Sequence, residues 1–179
     1  ETLLNRQPFE PFEVDKVLSD GDEIEAGDDL HIRVIATPGH TRDLISFYIV
    51  ERKVLVATES VGIMAQTGDI MSEFLVDYDA YLRSLRKLAS LDIEVLCQGH
   101  HFVFTGTDVR QFLERSLKAT EVFRKHVENL LAVPGRSVDD VVQMIKSEEY
   151  DPNPGPKQPE KAYLLNLRTR IQHLADRGA

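Results

Sequence analysis

A strand and the sharp turn that follows it are encoded together in the stretch Leu30-His31-Ile32-Arg33-Val34-Ile35-Ala36-Thr37-Pro38-Gly39-His40-Thr41. Its first residues alternate between apolar and polar types, which predicts a half-buried strand. Pro38 fixes the direction in which the chain leaves that strand, and Gly39 permits backbone angles that other residues resist. His40 is then held at a strand end, where α/β folds place their ligand sites. A histidine in such a turn can equally be an ordinary loop residue, so this stretch alone leaves both interpretations open.

Two more polar side chains follow apolar strands. Glu59 comes directly after the β-rich run 54–57, and His100 follows a short apolar strand that includes residues 93–96. The intervals between the three residues fit one hairpin and one longer excursion containing a helix, so all three can meet at one edge of a sheet. Two imidazoles and a carboxylate suit zinc, iron or manganese. Together, His40, Glu59 and His100 therefore predict a metal site.

Length and composition set the class of protein. The chain has 179 residues, of which 42% are hydrophobic and 28% charged, as expected for a globular protein with a buried core. Its single cysteine, Cys97, excludes an internal disulfide framework and a cysteine-based structural zinc site within these residues. Cys97 is expected to be a buried small hydrophobic residue rather than a nucleophile.

Charge and hydropathy narrow the possible partners. Ten of the 30 acidic residues, but only two of the 21 basic ones, lie in residues 1–30, which predicts acidic surface turns or a docking surface there. No basic stripe with interleaved aromatic residues indicates nucleic-acid binding. No apolar run is long enough for a membrane span, and the start lacks the features of a signal peptide, so a cytoplasmic location is expected. Because the first residue is Glu1, the chain need not begin where its gene begins.

Strands are expected in the first part of the chain and helices in the last. Residues 14–57 are predicted to be strands and tight turns, with a hairpin formed by runs 45–50 and 54–57. Residues 79–91 have the apolar spacing of a helix that Asp79 could cap, and residues 61–71 are predicted to be a loop that lines an apolar pocket or packs on the body. Strand, helix and strand in this order imply an α/β or α+β body.

Three helices are predicted after residue 106. A long helix ends at Pro134-Gly135, a short one begins with a capping box at Ser137, and a third covers residues 162–176. Their apolar faces could pack on the body or form a homodimer contact. His126 and His173 on these helices are expected at the surface, and His31 on its strand is expected to be structural or exposed.

The stretches 17–22 and 30–41, followed in order by Glu59 and Gly99-His100, resemble the middle of a metallo-β-lactamase-fold hydrolase. Glyoxalase II-like and PqsE-like members are the most similar in pattern. The resemblance covers residues 14–106. It implies a four-layer αββα sandwich of which residues 1–106 form only the C-terminal half, with residues 107–179 as a helical appendage.

The resemblance also implies roles for the three predicted ligands. His40 would bind a first metal, Glu59 would take the place of a carboxylate that bridges two metals, and His100 would bind the second. Apart from the resemblance, Thr41 is expected to bond locally and orient the loop, and His101 to support the ligands or to line the substrate pocket. One or two divalent ions are implied, zinc in the first place, with iron or manganese as alternatives. No further catalytic residue is assigned.

The sequence departs from the family pattern in two ways. The family usually has a Gly-Asp pair where this chain has Thr58-Glu59, and its His-x-His-x-Asp-His cluster occurs nowhere in the 179 residues. The missing half of the fold and its ligands would come from upstream in the same gene product or from another chain. An isolated second half would expose a long sheet edge, which argues against a complete but degenerate member.

The function implied is hydrolysis of a small-molecule thioester, lactone or other ester by metal-activated water. Three alternatives stay open: a regulatory or binding protein of the same fold with weak or no catalysis, a phosphodiesterase, and an inactive fragment of a hydrolase.

Overall fold

The computed structural model describes residues 13–27, 29–153, 155 and 157–178. Eight strands are present in this part of the chain: β1 (Glu23–Glu25), β2 (His31–Ala36), β3 (Ile45–Ile49), β4 (Val54–Thr58), β5 (Ile63–Met64), β6 (Ile70–Met71), β7 (Val95–Gln98) and β8 (Val103–Thr105). Four α-helices accompany them: α1 (Tyr78–Ala89), α2 (Thr107–Leu131), α3 (Val138–Ile145) and α4 (Glu160–Gly178). The predicted mixture of a sheet and helices is confirmed.

The main sheet has six strands in the order β1-β2-β3-β4-β7-β8. Strands β1 to β4 form an antiparallel meander, β7 pairs with β4 in parallel, and β8 returns antiparallel to β7. The predicted hairpin is confirmed as β3 and β4, which a short 3₁₀ turn and Lys53 in a left-handed conformation connect. Because β4 and β7 run in parallel, the residues that follow them leave the sheet at the same edge.

One face of the sheet packs against the helices. Leu55 and Leu96 on this face are completely buried and belong to the same hydrophobic cluster as Leu85 of α1 and Phe112 of α2. The cluster continues to Ile171 of α4 without interruption. Helix α2 begins at Thr107, where the helical appendage was predicted to start. The division into domains 1–106 and 107–179 stays a prediction.

The opposite face of the sheet is apolar but only partly covered. Phe47, Val56, Cys97 and Val103 lie side by side across four strands, and the first three are half-buried while Val103 is 60% exposed. Cys97 is therefore less buried than its apolar neighbours in sequence suggested, because strand alternation turns Leu96 toward the helices and Cys97 away from them.

Three local predictions are corrected. Val14 and Val17 lie outside any strand and are 65% and 82% exposed, since the sheet begins only at β1. Residues 61–71 are not a plain loop but contain the small antiparallel pair β5 and β6. Helix α1 is capped by Asp77, whose side chain accepts a hydrogen bond from the Ala80 amide (2.8 Å), and not by Asp79.

The appendage follows its predicted outline. Helix α2 ends before Pro134-Gly135, and the Ser137–Asp140 capping box at the start of α3 is formed with both of its hydrogen bonds. Within the described residues, no helix is long and apolar enough to cross a membrane.

Candidate functional site

The loop that carries His40 is pressed against the start of helix α1. The Gly39 carbonyl accepts hydrogen bonds from the amides of Val76 (3.0 Å) and Asp77 (3.2 Å). Gly39 has a φ of +132°, and a Cβ atom at this position would lie 2.3 Å from the Cα of Tyr81. Only glycine fits here. The close approach of the two backbones therefore fixes the position of the His40 backbone.

The His40 ring is oriented by a backbone carbonyl. Its Nδ1 lies 2.7 Å from the carbonyl oxygen of Glu73, and because a carbonyl only accepts, Nδ1 must carry the proton. The lone pair of the imidazole is then on Nε2. Histidine ligands of metals are commonly held by such a bond on the other ring nitrogen.

Glu59 and His100 meet at the shared edge of β4 and β7. The distance from His100 Nε2 to Glu59 Oε1 is 3.3 Å. Glu59 leaves the strand through an irregular register after Val56 and through Thr58, which has an unusual φ of 54°. A Cβ on Gly99 would lie 3.0 Å from Glu59 Oε1, so the absence of a side chain there lets the carboxylate lie against the backbone.

His40, Glu59 and His100 all line one cavity of about 1140 Å³. The kinds of donor and the orientation of His40 suit a zinc-type ion. These three residues alone do not form a complete metal site. Across residues 13–27, 29–153, 155 and 157–178, no group of three His, Cys, Asp or Glu side chains could hold a metal ion. The assignment of the three residues as metal ligands stays a prediction.

The two predicted supporting residues are placed differently. Thr41 accepts a hydrogen bond from the Gly39 amide through its backbone carbonyl (2.9 Å), which closes the His40 turn. His101 has a φ of 64°, is exposed, and lines the same cavity, with its ring centre 6.0 Å from that of His100. Their roles as support for the ligands also stay predictions.

Three buried hydroxyl groups connect the His40 loop to the turn that carries Glu59. Ser60 Oγ donates to Thr37 Oγ1 (2.8 Å), which lies 3.0 Å from Ser46 Oγ. Ser46 in turn donates to the Ala57 carbonyl (3.3 Å). Thr37, Ser46 and Ser60 are at most 1% exposed. Sequence analysis did not identify them, because hydroxyl residues at strand ends carry no distinctive signal.

Replacing Ser60 with Ala is expected to lower the free energy of unfolding by about 1–2 kcal/mol, because two buried hydroxyls lose a partner. The measurement is urea denaturation. Ser90→Ala is the matched control: the Ser90 hydroxyl bonds to the Lys87 carbonyl at an exposed position, so its change should stay below about 0.5 kcal/mol. Equal effects of the two variants would show that the buried hydroxyl chain does not stabilise the protein.

The remaining histidines have identifiable structural roles. His31 pairs with Glu51 (Nδ1 to Oε1, 2.6 Å) at a half-exposed position, as expected. His126 lies 2.7 Å from Glu148 and lines the cavity. The surface prediction for His173 is wrong, because its Nε2 accepts a hydrogen bond from the Tyr78 amide (2.9 Å) and so connects α4 to the first turn of α1.

Sequence analysis missed two buried charged residues that line the cavity, Glu73 and Arg170. Glu73 is 5% exposed, and burial raises the pKa of its carboxyl while Arg170 opposes that rise. Arg170 is 3% exposed, donates from Nη1 to the Ser72 carbonyl (2.7 Å), and lies 4.7 Å over the Phe123 ring. A signal for Arg170 existed, since helical spacing places it on the same face as Leu167 and Leu174.

Residues 2–100 match the family described as the metallo-beta-lactamase superfamily. The chain belongs to the metallo-beta-lactamase superfamily. Members are mostly hydrolytic enzymes that bind divalent metals, usually zinc. None of the curated proteins compared with this chain matches it.

Solved structures show the same fold. A metallo-beta-lactamase family protein from Thermus thermophilus is 22% identical, with a TM-score of 0.63 over 90% of this chain and 49% of its own. A beta-lactamase domain protein from Burkholderia ambifaria is 16% identical, with a TM-score of 0.67 over 91% and 47%. An archaeal superfamily protein from Sulfolobus tokodaii is 17% identical, with a TM-score of 0.53 over 89% and 51%. The chain thus spans about half the length of these proteins, as expected for part of the sandwich.

Proposed function

We propose that this chain forms the C-terminal half of a metal-dependent hydrolase that acts on a thioester, lactone or other ester. The observation that carries the proposal is the His40 ring, held by the Glu73 carbonyl so that Nε2 is its unprotonated nitrogen, in the same cavity as the Glu59–His100 pair. A backbone hydrogen bond alone is also found at the structural His173, so the two further metal-type donors in the same cavity are what distinguish His40.

In this proposal, His40, Glu59 and His100 hold zinc together with ligands from the other half of the fold. A bound zinc ion would supply a water of lowered pKa and polarise the scissile carbonyl. The chain's own residues bind and orient the substrate. Apolar side chains from β5, β6 and α2 form much of the cavity wall and suit an acyl chain: Ile63, Ile70, Met71, Val122 and Phe123.

We also propose that a second sheet completes the sandwich on the partly covered face of Phe47, Val56 and Cys97. This second half would come from upstream in the same gene product or from another chain. Two packed sheets bury such a face between them. The subtype, glyoxalase II-like or PqsE-like, is part of the proposal and rests on the sequence pattern alone.

A regulatory or binding role is the second candidate. Two observations favour it: Glu59 stands where the family usually has Asp, and the described residues alone form no complete metal-binding group. A phosphodiesterase is less favoured, because the carboxyl groups that line the cavity outnumber its two cationic side chains, Lys157 and Arg170, and disfavour an anionic substrate.

The test is a metal and substrate analysis of the full-length protein. We expect at least one equivalent of divalent metal, turnover of a thioester, lactone or ester in a substrate panel, and loss of turnover after chelation that added zinc restores. Turnover of phosphodiesters alone would favour the phosphodiesterase. Metal-free protein with no turnover on any of these substrates would exclude the hydrolase and favour the binding role.

A further inference from the structure

The wall of the cavity formed by α4 contains a buried hydroxyl group, that of Tyr163. Tyr163 lines the cavity and is 4% exposed, and its ring stacks on Tyr150 with centres 4.4 Å apart. The Tyr163 hydroxyl has no hydrogen-bond partner among the described residues. Leaving such a group unpaired is unfavourable, so its presence at a cavity wall points to a ligand that pairs with it.

The electrostatic surroundings of Tyr163 favour an uncharged acceptor. Burial, and after it the nearby Glu149 carboxylate, raise the pKa of the Tyr163 hydroxyl, so it remains a hydrogen-bond donor. The cationic side chains of Arg170 and Lys157 are outnumbered in the cavity lining by five carboxyl groups: Glu59, Asp69, Glu73, Glu148 and Glu149. With that charge compensated, the site offers no net attraction to an anion.

The same wall offers an acceptor as well as a donor. Glu149 lines the cavity and is an exposed residue. Because a secondary amide has a carbonyl that accepts and an N–H that donates, it can pair with a tyrosine hydroxyl and a carboxylate at once. An ester or a simple alkyl chain lacks the N–H donor.

We propose that the Tyr163 hydroxyl, together with Glu149, recognises a neutral secondary amide in the acyl arm of the substrate. The inference rests on the proposed hydrolase function, in which the ester group of the same molecule lies near His40. The Tyr163 hydroxyl is closed off from solvent, so the amide reaches it after a rotation of neighbouring side chains, as is common when ligands bind. Tyr163 is then a specificity-determining residue, whereas His40, Glu59 and His100 would serve the reaction itself.

The test compares two thioesters of equal length in the full-length protein: 6-acetamidohexanoyl and nonanoyl S-methyl thioesters. We expect Tyr163→Phe to lower kcat/KM about tenfold for the amide-bearing thioester and to leave the nonanoyl thioester unchanged, as loss of one buried hydrogen bond to substrate predicts. The midpoint of thermal unfolding should stay equal or rise, because the hydroxyl bonds to none of the residues that the structure describes.

Tyr150→Phe is the matched control. The Tyr150 hydroxyl donates to the Gln158 carbonyl (2.8 Å), so its loss should not change the ratio between the two substrates. An equal effect of Tyr163→Phe on both thioesters, or no effect on either, would overturn the proposal.

A binding experiment distinguishes failure of the proposed hydrolase function from failure of the amide site. If neither thioester is hydrolysed, the two intact, uncharged thioesters are titrated by ligand-observed NMR. Tenfold weaker binding of the 6-acetamidohexanoyl thioester to Tyr163→Phe, with the nonanoyl thioester unchanged, would support the amide site in a protein that is not a thioesterase. Binding of the 6-acetamidohexanoyl thioester that does not differ between wild type and variant would reject the site.

Discussion

Replacing His40 with Ala is expected to reduce kcat/KM of the full-length protein by about 1,000-fold or more, which corresponds to about 4 kcal/mol of transition-state stabilisation. The reason is that His40 is the proposed metal ligand after β2, where its ring is oriented by a hydrogen bond to the Glu73 carbonyl. The variant should also retain less metal after dialysis, because a proposed ligand is lost. Elemental analysis and steady-state kinetics on the same preparation measure both effects.

His31→Ala is the control for this experiment. It removes the same ring from the first residue of β2, where His31 pairs with Glu51 and does not line the cavity. Activity and metal content should therefore remain within a factor of two or so of wild type, since surface substitutions away from a site have small effects. If His40→Ala keeps both full activity and full metal content, His40 is not a ligand and the proposed mechanism fails.

The meeting of Glu59 and His100 shows how much of the site could be predicted from sequence. Each follows an apolar run, and apolar runs that end in a polar residue predict strand ends. What the sequence could not supply is the neighbour relation: β4 and β7 are adjacent and parallel although helix α1 and the pair β5–β6 lie between them along the chain. The intervals along the chain only allowed the two residues to meet at one edge, and the structure shows that they do.

The residues that sequence analysis missed depend on contacts between distant parts of the chain. Glu73 matters because its carbonyl faces His40, and Arg170 matters because it reaches the Ser72 carbonyl from α4. No local pattern encodes which backbone carbonyl a side chain will meet. His173 was misplaced for the same reason, since its bond to the Tyr78 amide crosses between α4 and α1.

Short-range features were predictable only where the local signal was unambiguous. The capping box at Ser137 is a pattern of two residues with a fixed spacing, and it forms as predicted. At α1, Asp79 was predicted to cap the helix, but the cap is the residue with extended backbone angles, Asp77, which has a φ of −154°. Strands β5 and β6 have two residues each, too short for alternation to be visible in the sequence.

Replacing Gly39 with Ala is expected to lower the free energy of unfolding by about 4 kcal/mol, as the sum of backbone strain and overpacking. The added Cβ would lie 2.3–2.5 Å from the Tyr81 Cα, backbone nitrogen and Cβ, so helix α1 or the loop must move. For a chain of this size, that loss corresponds to a fall of about 10 °C in the thermal midpoint. Calorimetry measures it.

Gly21→Ala separates the two causes of that loss. Gly21 also has a positive φ, +87°, but a Cβ there would meet no atom within 4 Å. Its substitution should therefore cost only the backbone strain, about 1 kcal/mol. If Gly39→Ala costs no more than Gly21→Ala, the backbone contact between the His40 loop and α1 is not tight. If it costs several times more and metal content falls with it, the contact that fixes the start of α1 also fixes the position of His40.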